Sequence, residues 1–164
     1  VLELLDCPHP LVFDADALTL MAGYKSFSNV VQCREAAVVL TPHEGEFSRL
    51  FPEIDLSDRS TAAKKASVES GAYLVLKGAE TVIAAPDGQF VVNRHASPWL
   101  ATAGTGDVLA GLIGGMIAQG GDNFQNICAA VWIHGDAARR FGPGLISEDL
   151  PDLIPTVLHD LSIS

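Results

Sequence analysis

Short apolar runs bounded by turn-forming residues open the chain. Leu11-Val12-Phe13 stands between Pro10 and Asp14, and residues 36–40 repeat the pattern and stop at Thr41-Pro42. Runs this short and this uniformly apolar predict buried parallel strands. Residues 73–76 make a third. Residues 81–85 and 90–93 flank Pro86-Asp87-Gly88-Gln89, an arrangement that predicts a hairpin. Between the second and third strands, Ser57 offers an N-cap for a helix through Ala62, Ala63, Ala66 and Val68, which Gly71 ends.

Past residue 104 the period changes. Val108, Leu109, Leu112, Ile113, Met116 and Ile117 form one broad apolar stripe at helical spacing. Ala110, Gly111, Gly114 and Gly115 add a small-residue face suited to close approach by another element. A second helix is expected over residues 126–141, closed by Gly142-Pro143-Gly144. A last one starts near Ser147, with Glu148 and Asp149 complementing its dipole. Alternating strands and helices without repeat or linker predict one α/β domain with a largely parallel sheet and helices on both faces. The chain begins at Val1 and runs at once into Leu2-Glu3-Leu4-Leu5, which reads as a helix end and implies residues upstream.

Composition narrows the function. The 164 residues are 48% hydrophobic and 18% charged, which suits a folded domain with a real core. A net charge of −10 argues against nucleic acid or an anionic membrane as partner, since both demand a cationic face. A phosphate-bearing small molecule needs only a local patch of backbone N–H groups and one or two cations. Cys7, Cys33 and Cys128 are scattered and odd in number, so they read as reduced, buried thiols of a cytoplasmic protein rather than a disulfide framework or zinc site. No signal peptide and no membrane-spanning run is present.

Four segments carry candidate chemistry. In Ala103-Gly104-Thr105-Gly106-Asp107-Val108 the glycines precede a long amphipathic helix, whose first amides and positive dipole end form an anion site. Asp107 falls in the first turn, where it either takes or orients a proton beside a phosphate or is a stabilising first-turn acid. Lys77-Gly78-Ala79-Glu80-Thr81 is a turn between strands, either a nucleotide contact or a hairpin tip with a solvated lysine. Thr41-Pro42-His43-Glu44-Gly45-Glu46-Phe47 places His43 at the carboxyl edge of a strand, the ligand edge of open α/β sheets; Glu46 reads as a first-turn acid. Asp14 and Asp16 end another strand at that edge, with an N-cap as the alternative role. His134 reads as a satisfied core histidine, His9 and His159 as surface residues. His95 and Trp99 border a substrate or form a loop with one packed indole.

In this order these segments resemble the ADP/ATP-dependent NAD(P)H-hydrate dehydratases of the ribokinase-like superfamily. Matching runs are Phe-Asp-Ala-Asp-Ala-Leu (13–18), Leu-Thr-Pro-His-Glu-Gly-Glu-Phe (40–47), Leu-Lys-Gly-Ala-Glu-Thr (76–81), Ala-Thr-Ala-Gly-Thr-Gly-Asp-Val-Leu-Ala-Gly (101–111) and Ala-Val-Trp-Ile-His-Gly (130–135). The Gly-Thr-Gly-Asp element is shared across the superfamily, whereas Thr-Pro-His-x-Gly-Glu-Phe is far more specific to the dehydratases. The resemblance implies a ribokinase-like three-layer sandwich lacking its N-terminal part. It also implies dehydration of the S epimer of NADHX or NADPHX, with ADP going to AMP and phosphate, or ATP to ADP. Lys77, Gly78, Ala79, Glu80, Thr81, Gly104, Thr105 and Gly106 would then meet the nucleotide. His43 and Asp107 would meet the hydrated nicotinamide, with Asp107 as base and Mg²⁺ bridging phosphates rather than held by protein ligands. A homo-oligomer and an upstream NAD(P)HX epimerase domain are further implications.

Ser97-Pro98-Trp99-Leu100 departs from the smaller loop of many relatives. Two other readings share the Gly104–Asp107 turn: a ribokinase-like small-molecule kinase for hydroxymethylpyrimidine or hydroxyethylthiazole, and a non-catalytic nucleotide-binding fragment.

Overall fold

A computed structural model describes residues 2–24, 26–121 and 123–163. The chain divides after Val92 into two compact units. In the first, a 3-10 turn (Leu2–Asp6) stands where a helix end was expected. It is followed by β1 (Leu11–Phe13), α1 (Asp16–Ala22), α2 (Phe27–Gln32), β2 (Val38–Leu40), α3 (Glu44–Leu50), α4 (Arg59–Ser70), β3 (Tyr73–Leu76), β4 (Thr81–Ala84) and β5 (Phe90–Asn93). The strands lie side by side in chain order. β1, β2 and β3 pair in parallel, with Leu11 opposite Val38 and Leu40 opposite Leu74. β4 then runs antiparallel to β3, Leu76 opposite Val82, so the sheet is mixed, its parallel part at β1–β3.

The second and third runs are buried as their composition requires: Val38, Val39, Leu40, Leu74, Val75 and Leu76 exclude solvent almost completely, whereas in β1 only Phe13 is buried and Leu11 and Val12 are half-buried. α4 packs on β3 and β4 through Ala62, Ala63 and Ala66, whose small side chains bring helix and sheet close. Its N-cap is Asp58, not Ser57. The Asp58 carboxylate accepts from the Ser60 and Thr61 amides, whereas Ser57 bonds Asp55 through both its amide and its hydroxyl. A carboxylate presents two acceptor oxygens to the first turn, and the neighbouring hydroxyl loses that competition. Gly71 ends α4 at φ +73, and a Cβ there would lie 2.9 Å from Gln32.

The second unit is helical. A 3-10 turn (Pro98–Leu100) leads to α5 (Thr105–Ile117), α6 (Asn123–Phe141), a second 3-10 turn (Ser147–Asp149) and α7 (Leu150–Ile163). Ile133, Ala137, Ala138, Leu145, Leu150 and Val157 form its core. Leu109, Ile113 and Ile117 are the buried line of α5, with Val108, Leu112 and Met116 half-buried beside it. The small-residue face does not serve close approach at Gly111 and Gly115, where an added Cβ would meet nothing within 4 Å. The cysteines are free as expected but not buried: Cys7 and Cys128 are half-buried and Cys33 is exposed. His9 and His159 are exposed, as read from the sequence. Among the described residues, no helix is long and apolar enough to cross a membrane.

Candidate functional site

In the first unit a candidate site is built at the carboxyl ends of β1, β2 and β3, the edge where open α/β sheets take ligands. The Thr41-Pro42-His43 element does this through ties made by each of its residues. Thr41 donates from its amide (3.1 Å) and its hydroxyl (3.2 Å) to the Phe13 carbonyl, fastening the end of β2 to the end of β1. The Pro42 carbonyl accepts from the Lys77 amide at 2.8 Å, and His43 and Lys77 extend the parallel pairing of β2 and β3 by one bridge. His43 is the N-cap of α3: its Nδ1 accepts from the amides of Gly45 (3.0 Å) and Glu46 (3.3 Å). Since Nδ1 accepts, the neutral ring carries its proton on Nε2, which lies 3.5 Å from Glu46 Oε1. Glu46 closes the capping box by accepting from the His43 amide at 2.8 Å.

Lys77 leaves β3 into this setting. Its Nζ donates to Asp14 Oδ1 at 2.6 Å and lies 4.0 Å from Glu46 Oε2. All three side chains are largely withdrawn from solvent. The solvated-lysine alternative is therefore overturned, and so is an N-cap role for Asp14. The N-cap of α1 is Ala15, which makes no side-chain cap and takes φ +49, a strained angle for a residue with a Cβ. Glu46 is likewise more than a first-turn acid, since two acids flank one ammonium here. Beyond Lys77 the turn Gly78-Ala79-Glu80 is exposed, and Thr81 opens β4 buried.

Arg59, which pattern reading passed over, holds that turn. It is the first helical residue of α4, where a cation opposes the helix dipole, and that mismatch was the available signal. Its Nη2 donates to the carbonyls of Leu76 (3.1 Å), Lys77 (3.2 Å) and Glu80 (3.1 Å), and its Nη1 pairs with Glu44.

A separate candidate element lies within the other unit. Gly104, at φ +84, is the N-cap of α5, and a Cβ there would fall 2.6 Å from the Ser147 hydroxyl. Both the dihedral and the close approach demand glycine. Thr105 turns its hydroxyl back onto the carbonyls of Leu100 (2.8 Å) and Thr102 (3.0 Å). Its own carbonyl accepts from His134 Nε2 at 2.9 Å. His134 is buried and its pKa is pushed down to about 4 by that burial, so it is a neutral core histidine that anchors the turn. Gly106 and exposed Asp107 follow in the first turn of α5, among amides the helix leaves unpaired.

The loop before this turn is fastened differently from expectation. The packed indole is Trp132 of α6, stacked on the His95 ring at 4.6 Å and 9°, whereas Trp99 is 41% exposed. His95 Nε2 meets Asp136 at 2.9 Å, and Asp136 is also bound by Arg140 Nε at 2.7 Å. These bonds hold the Asp136 carboxyl below the usual carboxylate range against the opposing effect of desolvation. Among the described residues no group of three or more His, Cys, Asp or Glu side chains is arranged to hold a metal.

The family described as NAD(P)H-hydrate dehydratase (Carb_kinase) matches residues 1–155. The chain belongs to this family. It is 52% identical over 156 residues to the bifunctional NAD(P)H-hydrate repair enzyme of Gloeobacter violaceus, covering 92% of this chain and 30% of that one. It is 41% identical over 133 residues to the ADP-dependent (S)-NAD(P)H-hydrate dehydratase of Neisseria meningitidis, covering 79% of this chain and 44% of that one. The ADP/ATP-dependent NAD(P)H-hydrate dehydratase of Bacillus subtilis, co-crystallised with ATP and Mg²⁺, superposes with a TM-score of 0.80 at 34% identity. That match covers 92% of this chain and 55% of the Bacillus one. The chain thus spans about a third of the curated bifunctional relative and about half of the solved dehydratase.

Proposed function

We propose that the chain is the nucleotide- and substrate-binding part of a cytoplasmic enzyme that dehydrates the S epimer of NADHX or NADPHX, using ADP or ATP. The observation that carries this reading is the Lys77 ammonium held by Asp14 at the carboxyl ends of three parallel strands, with Lys77 bridged through its backbone to His43, in a chain of this family. In this reading Lys77 and the Gly78–Thr81 turn meet the nucleotide, with Lys77 donating to phosphate oxygens. The amides of Thr105 and Gly106, behind Gly104, receive phosphate at the α5 N-terminus. His43 offers Nε2–H to a polar group of the hydrated nicotinamide. Asp107 accepts the proton of the substrate hydroxyl as its oxygen attacks the terminal phosphorus and the bond to the nucleotide leaving group breaks. The hydroxyl becomes a phosphate ester. Its carbon–oxygen bond then breaks with the electron pair leaving on phosphate, the neighbouring carbon gives up a proton, and the ring double bond of NAD(P)H forms.

Magnesium keeps much of its own water and binds through phosphates with one or two carboxylates. In this reading the ion would arrive on the nucleotide and supply neutralisation of phosphate charge. The free thiol of exposed Cys33 suits a reducing compartment. The bifunctional relative supports a parent chain that also carries an NAD(P)HX epimerase domain.

The test is a spectroscopic assay of the full-length parent with NADHX, Mg²⁺ and either ADP or ATP. Return of NADH absorbance together with free phosphate is expected, and the nucleotide that supports it names the donor. A folded, nucleotide-binding protein that restores no absorbance and instead accumulates a phosphorylated small molecule is a kinase.

A further inference from the structure

Gly78 does not take a left-handed dihedral, so the need for glycine there is not conformational. The need is steric. A Cβ at Gly78 would lie 2.6 Å from Arg59 Nη2 and 3.0 Å from Cζ, so the turn passes directly over a guanidinium. That group donates to carbonyls on both sides of the turn, Leu76 and Lys77 before it and Glu80 after it. Its other nitrogen pairs with Glu44, the residue following His43. Arg59 therefore ties together the two segments proposed to meet nucleotide and substrate, which come from different parts of the chain. Only a planar, forked cation spans a carboxylate and several carbonyls at once; an ammonium acts as a point charge.

We propose that Arg59 is a positioning residue for the nucleotide: it presets the Lys77–Glu80 turn in its binding shape, and Gly78 is glycine to admit it. The inference rests on the nucleotide-binding reading above. A preset turn spares the entropy of ordering it on binding, so its loss falls on nucleotide affinity.

The experiment measures Mg²⁺-ADP and Mg²⁺-ATP binding calorimetrically on the full-length parent, alongside steady-state kinetics. Arg59→Ala is expected to raise the nucleotide Kd and KM about tenfold or more, with kcat at saturating nucleotide within about threefold of wild type. Gly78→Ala alone is expected to weaken binding to a similar degree. Added to Arg59→Ala it should cost less than about twofold further, because the clash partner is gone. Arg59→Lys is expected to weaken binding about fivefold or more, and it carries the test if Arg59→Ala does not fold. Wild-type affinity in folded Arg59→Lys or Arg59→Ala overturns the proposal, as does full additivity of Gly78→Ala with Arg59→Ala. Wild-type protein that binds neither nucleotide overturns the nucleotide reading itself, and the inference with it.

Discussion

The ammonium of Lys77 lies 2.6 Å from the carboxylate of Asp14, joining the end of β3 to the end of β1 across 63 positions of sequence. The pair is mostly withdrawn from water, with Glu46 as a more distant second acid at 4.0 Å. Removing one partner of such a pair leaves the other without compensation, which costs more than the pair contributes. Lys77→Met is expected to destabilise the protein by about 1–3 kcal/mol in urea unfolding and to raise nucleotide KM about tenfold or more. Adding Asp14→Asn should recover much of the stability but none of the nucleotide affinity. Recovery of both would remove Lys77 from the phosphate site.

Asp107 stands exposed in the first turn of α5. As a base acting on the substrate hydroxyl it should be needed for turnover and not for nucleotide binding. Asp107→Asn is expected to lower kcat by about 10² to 10⁴ with nucleotide Kd nearly unchanged. Activity close to wild type would take the base role away from it.

His134 makes stability depend on pH. Its folded pKa of about 4 lies below the 6.5 of an exposed imidazole, because burial disfavours the charged ring. Between those values the unfolded chain binds the proton and the folded one does not. The stabilisation is thus complete above about pH 6.5 and is lost as pH falls toward 4, amounting to about 2–4 kcal/mol by linkage. His134→Gln, which keeps an N–H donor for the Thr105 carbonyl, is expected to flatten the fall in Tm over that window. An unchanged slope would assign the acid sensitivity to other groups.

Gly135 is set by packing rather than by dihedral. A Cβ there would lie 2.0 Å from the His95 carbonyl oxygen, backbone against side chain with no flexible end to yield. Gly135→Ala is expected to destabilise by more than about 3 kcal/mol and to open the Asn93–Ala96 segment. Amide hydrogen exchange of that segment measures the effect; unchanged protection would mean that α6 accommodates the methyl group.

Much of this was legible in order of residues. Uniformly apolar runs marked β2 and β3 because a strand buried on both faces has no polar alternation to obscure it, and the same pattern marked β1, which the structure leaves half-buried at Leu11 and Val12. Helical spacing located α5, and glycine at 104 marked its start. His134 was read correctly as a core histidine, since an apolar helix offers a ring few partners but a carbonyl. Other roles depended on competition between neighbours. Asp58 displaced Ser57 as a cap because its carboxylate offers more acceptor oxygens. Trp132 rather than Trp99 became the packed indole because His95 provides it a ring to stack on.

The sequence alone determined which residue types stand at the strand ends and helix starts, and through its ordered motifs the family, because these are local or collinear properties. Only tertiary structure decided that Lys77 is held by Asp14, that Glu46 joins them, and that Arg59 lies under Gly78 and reaches Glu44. Those relations span 15 to 63 positions or depend on the facing of side chains at the sheet edge. No periodicity encodes them; they appear when parallel pairing brings the ends of separate strands to one edge.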